Sequence, residues 1–85
     1  MSPGRESAAD RHPRRRLSPR ERYVLEHLAL GEEIPEIAQR LGVTVETVRT
    51  YAKAAMRKLD ARTRPQAVAI ALRTGEIPPV TPPVR

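Results

Sequence analysis

The chain has no cysteine, no tryptophan and no phenylalanine. Without cysteine there is no disulfide framework, no iron–sulfur cluster and no Cys-based zinc finger. The two histidines, His12 and His27, lie fifteen residues apart and make a poor metal site, so neither metal nor cofactor is expected. Two tyrosines are the only aromatic residues, too few for the stacking platforms that read single-stranded nucleic acid or RNA loops. No apolar run approaches the ~20 residues that cross a bilayer, and no signal-peptide core is present. Nothing assembles into a nucleophile–base pair, a phosphate-cradling glycine loop or a carboxylate dyad, so catalysis is not expected. No small-molecule site is evident either. What is left is a basic, intracellular mini-domain of 85 residues with a net charge of +6. Such a charge points to an anionic partner only weakly.

The position of the charge is more informative than its total. Residues 1–16 carry five Arg against Glu6 and Asp10, and residues 17–43 carry three Arg against five Glu. Residues 44–64 then hold Arg49, Lys53, Arg57, Lys58, Arg62 and Arg64 against only Glu46 and Asp60. A solvated surface normally mixes its signs. One basic internal segment behind an acidic one fits a face built for phosphates.

Pro and Gly divide the chain into three parts. Pro3, Gly4 and Pro13 interrupt residues 1–16, which read as a disordered basic arm. Residues 78–85 hold four of the nine prolines and read as an extended Pro-rich tail. The folded part is expected over residues 17–77, as four helices without strands: an all-α domain. The first helix opens at Ser18-Pro19-Arg20-Glu21, with a Ser cap, Pro at the first position and Glu three residues on. Val24, Leu25 and Leu28 form its apolar stripe, and Gly31 ends it. Ile34, Ile37, Ala38 and Leu41 give the second its apolar face, with Gly42 just past its end. The third runs from Thr44 to about Leu59. The fourth begins at Thr63-Arg64-Pro65-Gln66 and stops at Gly75.

The joint between the second and third helices carries the functional signal. A short helix, the tight turn Gly42-Val43-Thr44 and a longer helix make a helix-turn-helix unit over about residues 34–59. On the third helix Val48, Ala52, Ala55, Met56 and Leu59 fall on one side. Arg49, Thr50, Lys53 and Arg57 fall on the other, with Glu46 among them. In a DNA-binding unit of this kind the second helix enters the major groove, and its N-terminal residues reach base edges. Arg49, Thr50 and Lys53 are placed for base contacts. Arg57 and Lys58 lie further along and suit phosphates, as do the hydroxyls of Thr44 and Thr47.

Leu17-Ser18-Pro19-Arg20-Glu21, Val24-Leu25, Glu36-Ile37-Ala38, Leu41-Gly42-Val43, Thr47-Val48-Arg49-Thr50, Arg57-Lys58-Leu59 and Arg62 to Ala67 stand at spacings that resemble the LuxR-type (GerE-like) helix-turn-helix domain of bacterial transcription regulators. The resemblance covers residues 17–77. It implies a four-helix domain that dimerises on double-stranded DNA, often through its last helix, with base contacts at Arg49, Thr50 and Lys53. There are departures. Tyr51 stands where the family usually has His, and its hydroxyl suits a phosphate without a charge that titrates near neutrality. Ala52 and Ala55 replace larger aliphatics, which thins the core. Asp60 stands where Gly is common, and Asp tolerates a positive φ better than most residues. Most family members carry a receiver or ligand-binding domain ahead of this one. A short polar stretch stands there here, so the chain reads as an orphan regulator or as a piece of something longer.

Plainer readings accompany each feature. Glu21 is expected to cap or to form a structural ion pair, and His27 to be solvated. Arg14, Arg15 and Arg16 form a nonspecific electrostatic arm or enter a minor groove. The run Ala67 to Leu72 wraps around the whole fourth helix, which implies a second buried face. Dimer contacts at Val68 and Leu72 are then expected opposite an inward Ala67, Ile70 and Ala71. The leading expectation is a sequence-specific DNA-binding regulator in the bacterial cytoplasm, at the nucleoid. Its rivals are a helical adaptor for another regulator, a sigma factor or RNA polymerase, and a nonspecific nucleoid binder.

Overall fold

The computed structural model describes residues 16–79. Most of the basic arm, including Arg14 and Arg15, lies outside them, as does the Pro-rich tail beyond Pro79. Among the described residues there are four helices and no strand: α1 (Pro19–Ala29), α2 (Ile34–Leu41), α3 (Val45–Leu59) and α4 (Arg64–Thr74).

Local chemistry sets every boundary. Ser18 caps α1 through its hydroxyl, which accepts from the Glu21 N–H, while the Ser18 N–H donates to Glu21 Oε1. Thr44 and Thr63 cap α3 and α4 in the same way, accepting from the N–H groups of Thr47 and Gln66. At α2 the Glu33 N–H donates to Glu36 Oε1 at 2.8 Å. In α4 the reciprocal bond slips by one residue, because Gln66 accepts from Arg62 rather than from Thr63. All four helices end on one pattern, in which two N–H groups past the end turn back to orphan carbonyls of the last turn. At α2 these bonds are Gly42 to Gln39 and Val43 to Ala38; at α3 they are Asp60 to Arg57 and Ala61 to Met56. The pattern needs a left-handed residue at its corner. Gly42 supplies it at φ 70°, and Asp60, the one non-glycine residue with positive φ among those described, supplies it at 58°.

Packing divides the interior into two clusters on either side of a central pair. Helices α1 and α3 each pack on all three others, whereas α2 and α4 lie apart. On the α2 side sit Val24, Ile34, Ile37, Ala38, Val48 and Ala52. On the α4 side sit Leu17, Leu25, Ala55, Ala67, Ala71 and Ile77. Neighbours on one helix therefore serve different clusters, as Val24 and Leu25 do, and Leu28 touches both. Half of these buried residues on the α4 side are alanines, so the side chains filling the space come from α1 and from the two ends, Leu17 and Ile77. Arg22 fixes those ends: its Nε donates to the Glu76 carbonyl at 3.1 Å and its Nη2 to the Leu17 carbonyl at 3.4 Å.

One charge pair crosses the central contact. Glu21 is 7% exposed, and its Oε1 accepts from Lys58 Nζ at 2.8 Å as well as from the Ser18 N–H at 2.9 Å. The same carboxylate thus caps α1 and holds the last turn of α3. Burial pushes the Glu21 carboxyl upward, but the bonds from Lys58 and Ser18 outweigh it and hold the group below its ordinary value of 4.5. The second charged cluster corrects the expectation for His27. Its ring stacks on Tyr23 with centroids 4.1 Å apart, and its Nδ1 lies 3.0 Å from Glu32 Oε1. Arg40 of α2 donates to that same oxygen at 2.9 Å. His27 and Glu32 occupy the two positions that an apolar contact usually joins at a helix end of this type, so a polar pair closes the end of α1.

Lys58→Ala leaves the Glu21 carboxylate buried beside Ser18 alone and is expected to cost about 1–3 kcal/mol near neutrality, read by urea unfolding. Glu21 titrates lower in the folded chain than in the unfolded one. Its contribution is therefore complete above about pH 5 and is lost as pH falls through the depressed folded value. Wild type and variant should converge on acidification, and a gap that stays constant would contradict the assignment. At the other position, Asp60→Gly removes a side chain from a left-handed residue and a negative charge from a helix C-terminus. It should raise stability by about 0.5–1 kcal/mol in thermal unfolding.

Candidate nucleic-acid interface

Helix α3 carries the candidate face because its two sides differ. Val48, Ala52 and Ala55 are fully buried, and Met56 and Leu59 are half-buried against the α4-side cluster. Arg49, Thr50, Lys53 and Arg57 are exposed on the other side together with Glu46. These positions recur at the spacing of one helix face, so the stripe from Arg49 to Arg57 extends about 12 Å along the axis. The turn ahead of it is anchored from beneath, since Val43 is half-buried against the α2-side cluster. Gly42 thus reverses the chain while Val43 holds α3 against α2.

The side chains differ in how free they are. Among the described residues, Lys53 and Arg57 make no ion pair. Arg49 has only a loose one, its Nη1 3.7 Å from Glu46 Oε1, with both side chains largely in solvent. The Thr50 hydroxyl donates to the Glu46 carbonyl at 3.1 Å, which leaves its lone pairs free to accept. Thr44 Oγ1 accepts from the Thr47 N–H at 3.1 Å and lies 2.9 Å from Thr47 Oγ1. Both hydroxyls therefore stand at the start of α3, where its first N–H groups give a partial positive charge.

Two of the expected phosphate contacts are placed differently. Tyr51 is half-buried and packs against the α2-side cluster, at the border between the buried and exposed sides. Lys58 is held by Glu21 and turned toward α1. Arg16 is exposed two residues before the Ser18 cap, and Arg14 and Arg15 lie outside the described residues. On α4, Ala67 and Ala71 are fully buried as expected, whereas Ile70 is only half-buried. Leu72 is 36% exposed. Val68 is half-buried and lines a shallow groove with Leu28, Ala29, Arg64 and Pro65. The sequence reading missed Arg64. It borders a hollow with Arg49, Glu32, Glu33, Ile34 and Pro35, and so adds a cation beside the start of the exposed basic face. Its signal was there in the basic count of residues 44–64, but only the packing of α4 brings it near Arg49.

Residues 15–71 match the luxR family of bacterial regulatory proteins. The chain is 43% identical over 61 residues to the spore germination protein GerE of Bacillus subtilis, covering 72% of this chain and 82% of that protein. It is 46% identical over 63 residues to the HTH-type transcriptional activator RamA of Corynebacterium glutamicum, covering 74% of this chain but only 22% of RamA. Against the probable transcriptional regulatory protein NarL of Mycobacterium tuberculosis the identity is 46% over 57 residues, with 67% of this chain and 26% of NarL covered. The solved structure of the transcription factor GerE superposes with a TM-score of 0.69 at 31% identity. That superposition covers 73% of this chain and 92% of the GerE chain.

Proposed function

The chain belongs to the luxR family of bacterial regulatory proteins, and on that premise we propose that it binds double-stranded DNA sequence-specifically and regulates transcription without catalysis. The observation that carries this reading is the exposed side of α3, where Arg49, Lys53 and Arg57 stand in solvent behind the Gly42–Thr44 turn. In the major groove, Arg49 and Lys53 meet guanine O6 and N7, and Thr50 accepts from a base or touches a thymine methyl. Arg57 and the hydroxyls of Thr44 and Thr47 hold phosphates on either side. Tyr51 reaches a phosphate with its hydroxyl alone, because its ring is engaged in packing. Lys58 joins them only by releasing Glu21, so it contributes least. The residues Arg14, Arg15 and Arg16 add sequence-independent attraction. Such a regulator works in the cytoplasm, at the nucleoid.

We further propose that it acts as a homodimer through α4, with Leu72 and the groove beside Val68 as the contact. A domain of about 60 residues buries only ~60% of its chain surface, and its alanine-rich α4 side has little to spare. Burial of Leu72 against a second copy then raises stability by mass action.

Selection from a randomised duplex pool tests the function, and a palindromic motif is the expected result. Log affinity for the selected site should fall linearly with log salt, with a slope of roughly −0.9 per phosphate neutralised. Lys53→Ala should relax base preference at one position and cost about 1–3 kcal/mol. Arg57→Ala should weaken all sequences alike. Equal binding to selected and scrambled duplexes would overturn the specificity. DNA binding abolished by Arg49→Ala with Lys53→Ala, while partner binding and the cellular effect both survive, would favour an adaptor.

A further inference from the structure

Helix α3 presents one acidic side chain on its otherwise cationic or neutral exposed face. Glu46 lies one turn before Arg49 and Thr50, its side chain is 80% exposed, and its nearest charged partner is Arg49 at 3.7 Å. The acids that serve the fold look different. Glu21, Glu32 and Glu36 each hold a donor at 2.8–3.0 Å, whereas no short hydrogen bond engages the Glu46 carboxylate among the described residues. A carboxylate in the first turn suits the helix dipole, which explains its place in the helix but not its place on this side.

We propose that Glu46 is a specificity-determining residue that selects cytosine beside the guanine read by Arg49. The inference rests on the DNA-binding reading above. A carboxylate has only acceptors, and when pressed toward a polyanion it is tolerated where a donor meets it. The major groove offers donors only at cytosine N4 and adenine N6. Adenine N6 stands beside the N7 acceptor, which repels a carboxylate; cytosine N4 is the better match. Residues three apart share a helix face, so Glu46 and Arg49 meet neighbouring base edges. The acid reads the amino group and the guanidinium reads O6 and N7.

Parallel selections with the full chain, with Glu46→Ala and with Glu46→Gln test this, circular dichroism verifying that each variant is folded. The wild type should enrich cytosine next to guanine, with roughly tenfold discrimination against thymine at that position. Glu46→Ala should lose that discrimination at this position alone while binding unselected DNA more tightly, since one repulsive charge is gone. Glu46→Gln should move the preference to adenine, whose N6 and N7 match a carboxamide. Cytosine enriched at full strength by Glu46→Ala overturns the proposal, as does loss of the guanine instead, which makes Glu46 a positioning partner of Arg49. In both cases DNA reading itself stands. A wild type that enriches no motif overturns both.

Discussion

The contact between α1 and α3 is the constraint on which the rest of the domain depends. Neither α2 nor α4 touches the other, so each is fixed only through this central pair. Small residues let the pair close, because Ala52 and Ala55 place no bulk between the backbones while Val24 and Leu25 fill the space on either side. A carboxylate completes the closure. Glu21 organises the first turn of α1 and, with the same oxygen, binds the last turn of α3. A buried ion pair of this kind is weak evidence for stability, since desolvation offsets much of its attraction. Its geometric role is stronger: it fixes which end of α3 lies at the start of α1.

That arrangement separates the two demands on α3. The buried side must be small and apolar to accept α1, and the opposite side must stay polar and unencumbered. Fifteen residues of helix satisfy both only because the periodicity sorts them, with Val48, Ala52 and Ala55 inward and Arg49, Lys53 and Arg57 outward. Exposed cations contribute little to folding. Their presence in a row costs some repulsion, which Glu46 offsets only loosely at 3.7 Å from Arg49. The face is therefore not explained by stability, and the fold holds it ready at no gain to itself.

Local chemistry made much of this legible in the sequence. Ser18, Thr44 and Thr63 announce helix starts, and Gly31, Gly42 and Gly75 announce helix ends, because caps and left-handed corners need particular residue types. The sides of α3 were legible for the same reason: a 3.6-residue period is a local property. Pairings over long separations were not. Lys58 and Glu21 stand 37 residues apart and Arg22 and Glu76 stand 54 apart, and nothing local distinguishes such a lysine from a free one. Beside Glu26 in the sequence, His27 looks solvated, whereas its partners are Tyr23 one turn back and Glu32 beyond the helix end. The even apolar wrapping of α4 likewise misleads: it puts Ile70 inward and Val68 outward, whereas both are half-buried.

The two ends of the fold add one further consequence. Arg22 binds the carbonyls of Leu17 and Glu76 with one guanidinium, and the side chains of Leu17 and Ile77 enter the same cluster. The chain therefore enters and leaves the domain at one place. Arg22 follows Glu21, and Glu21 is bonded to Lys58, so that place adjoins the C-terminal end of α3. Lys58 lies nine positions along the helix from Arg49, about 13.5 Å along the axis. Whatever is joined to the domain at residue 17 or 77 begins away from the N-terminal half of α3, where Arg49 stands. The chain ends and Arg49 thus lie toward opposite ends of one helix, and the Glu21–Lys58 pair keeps them apart.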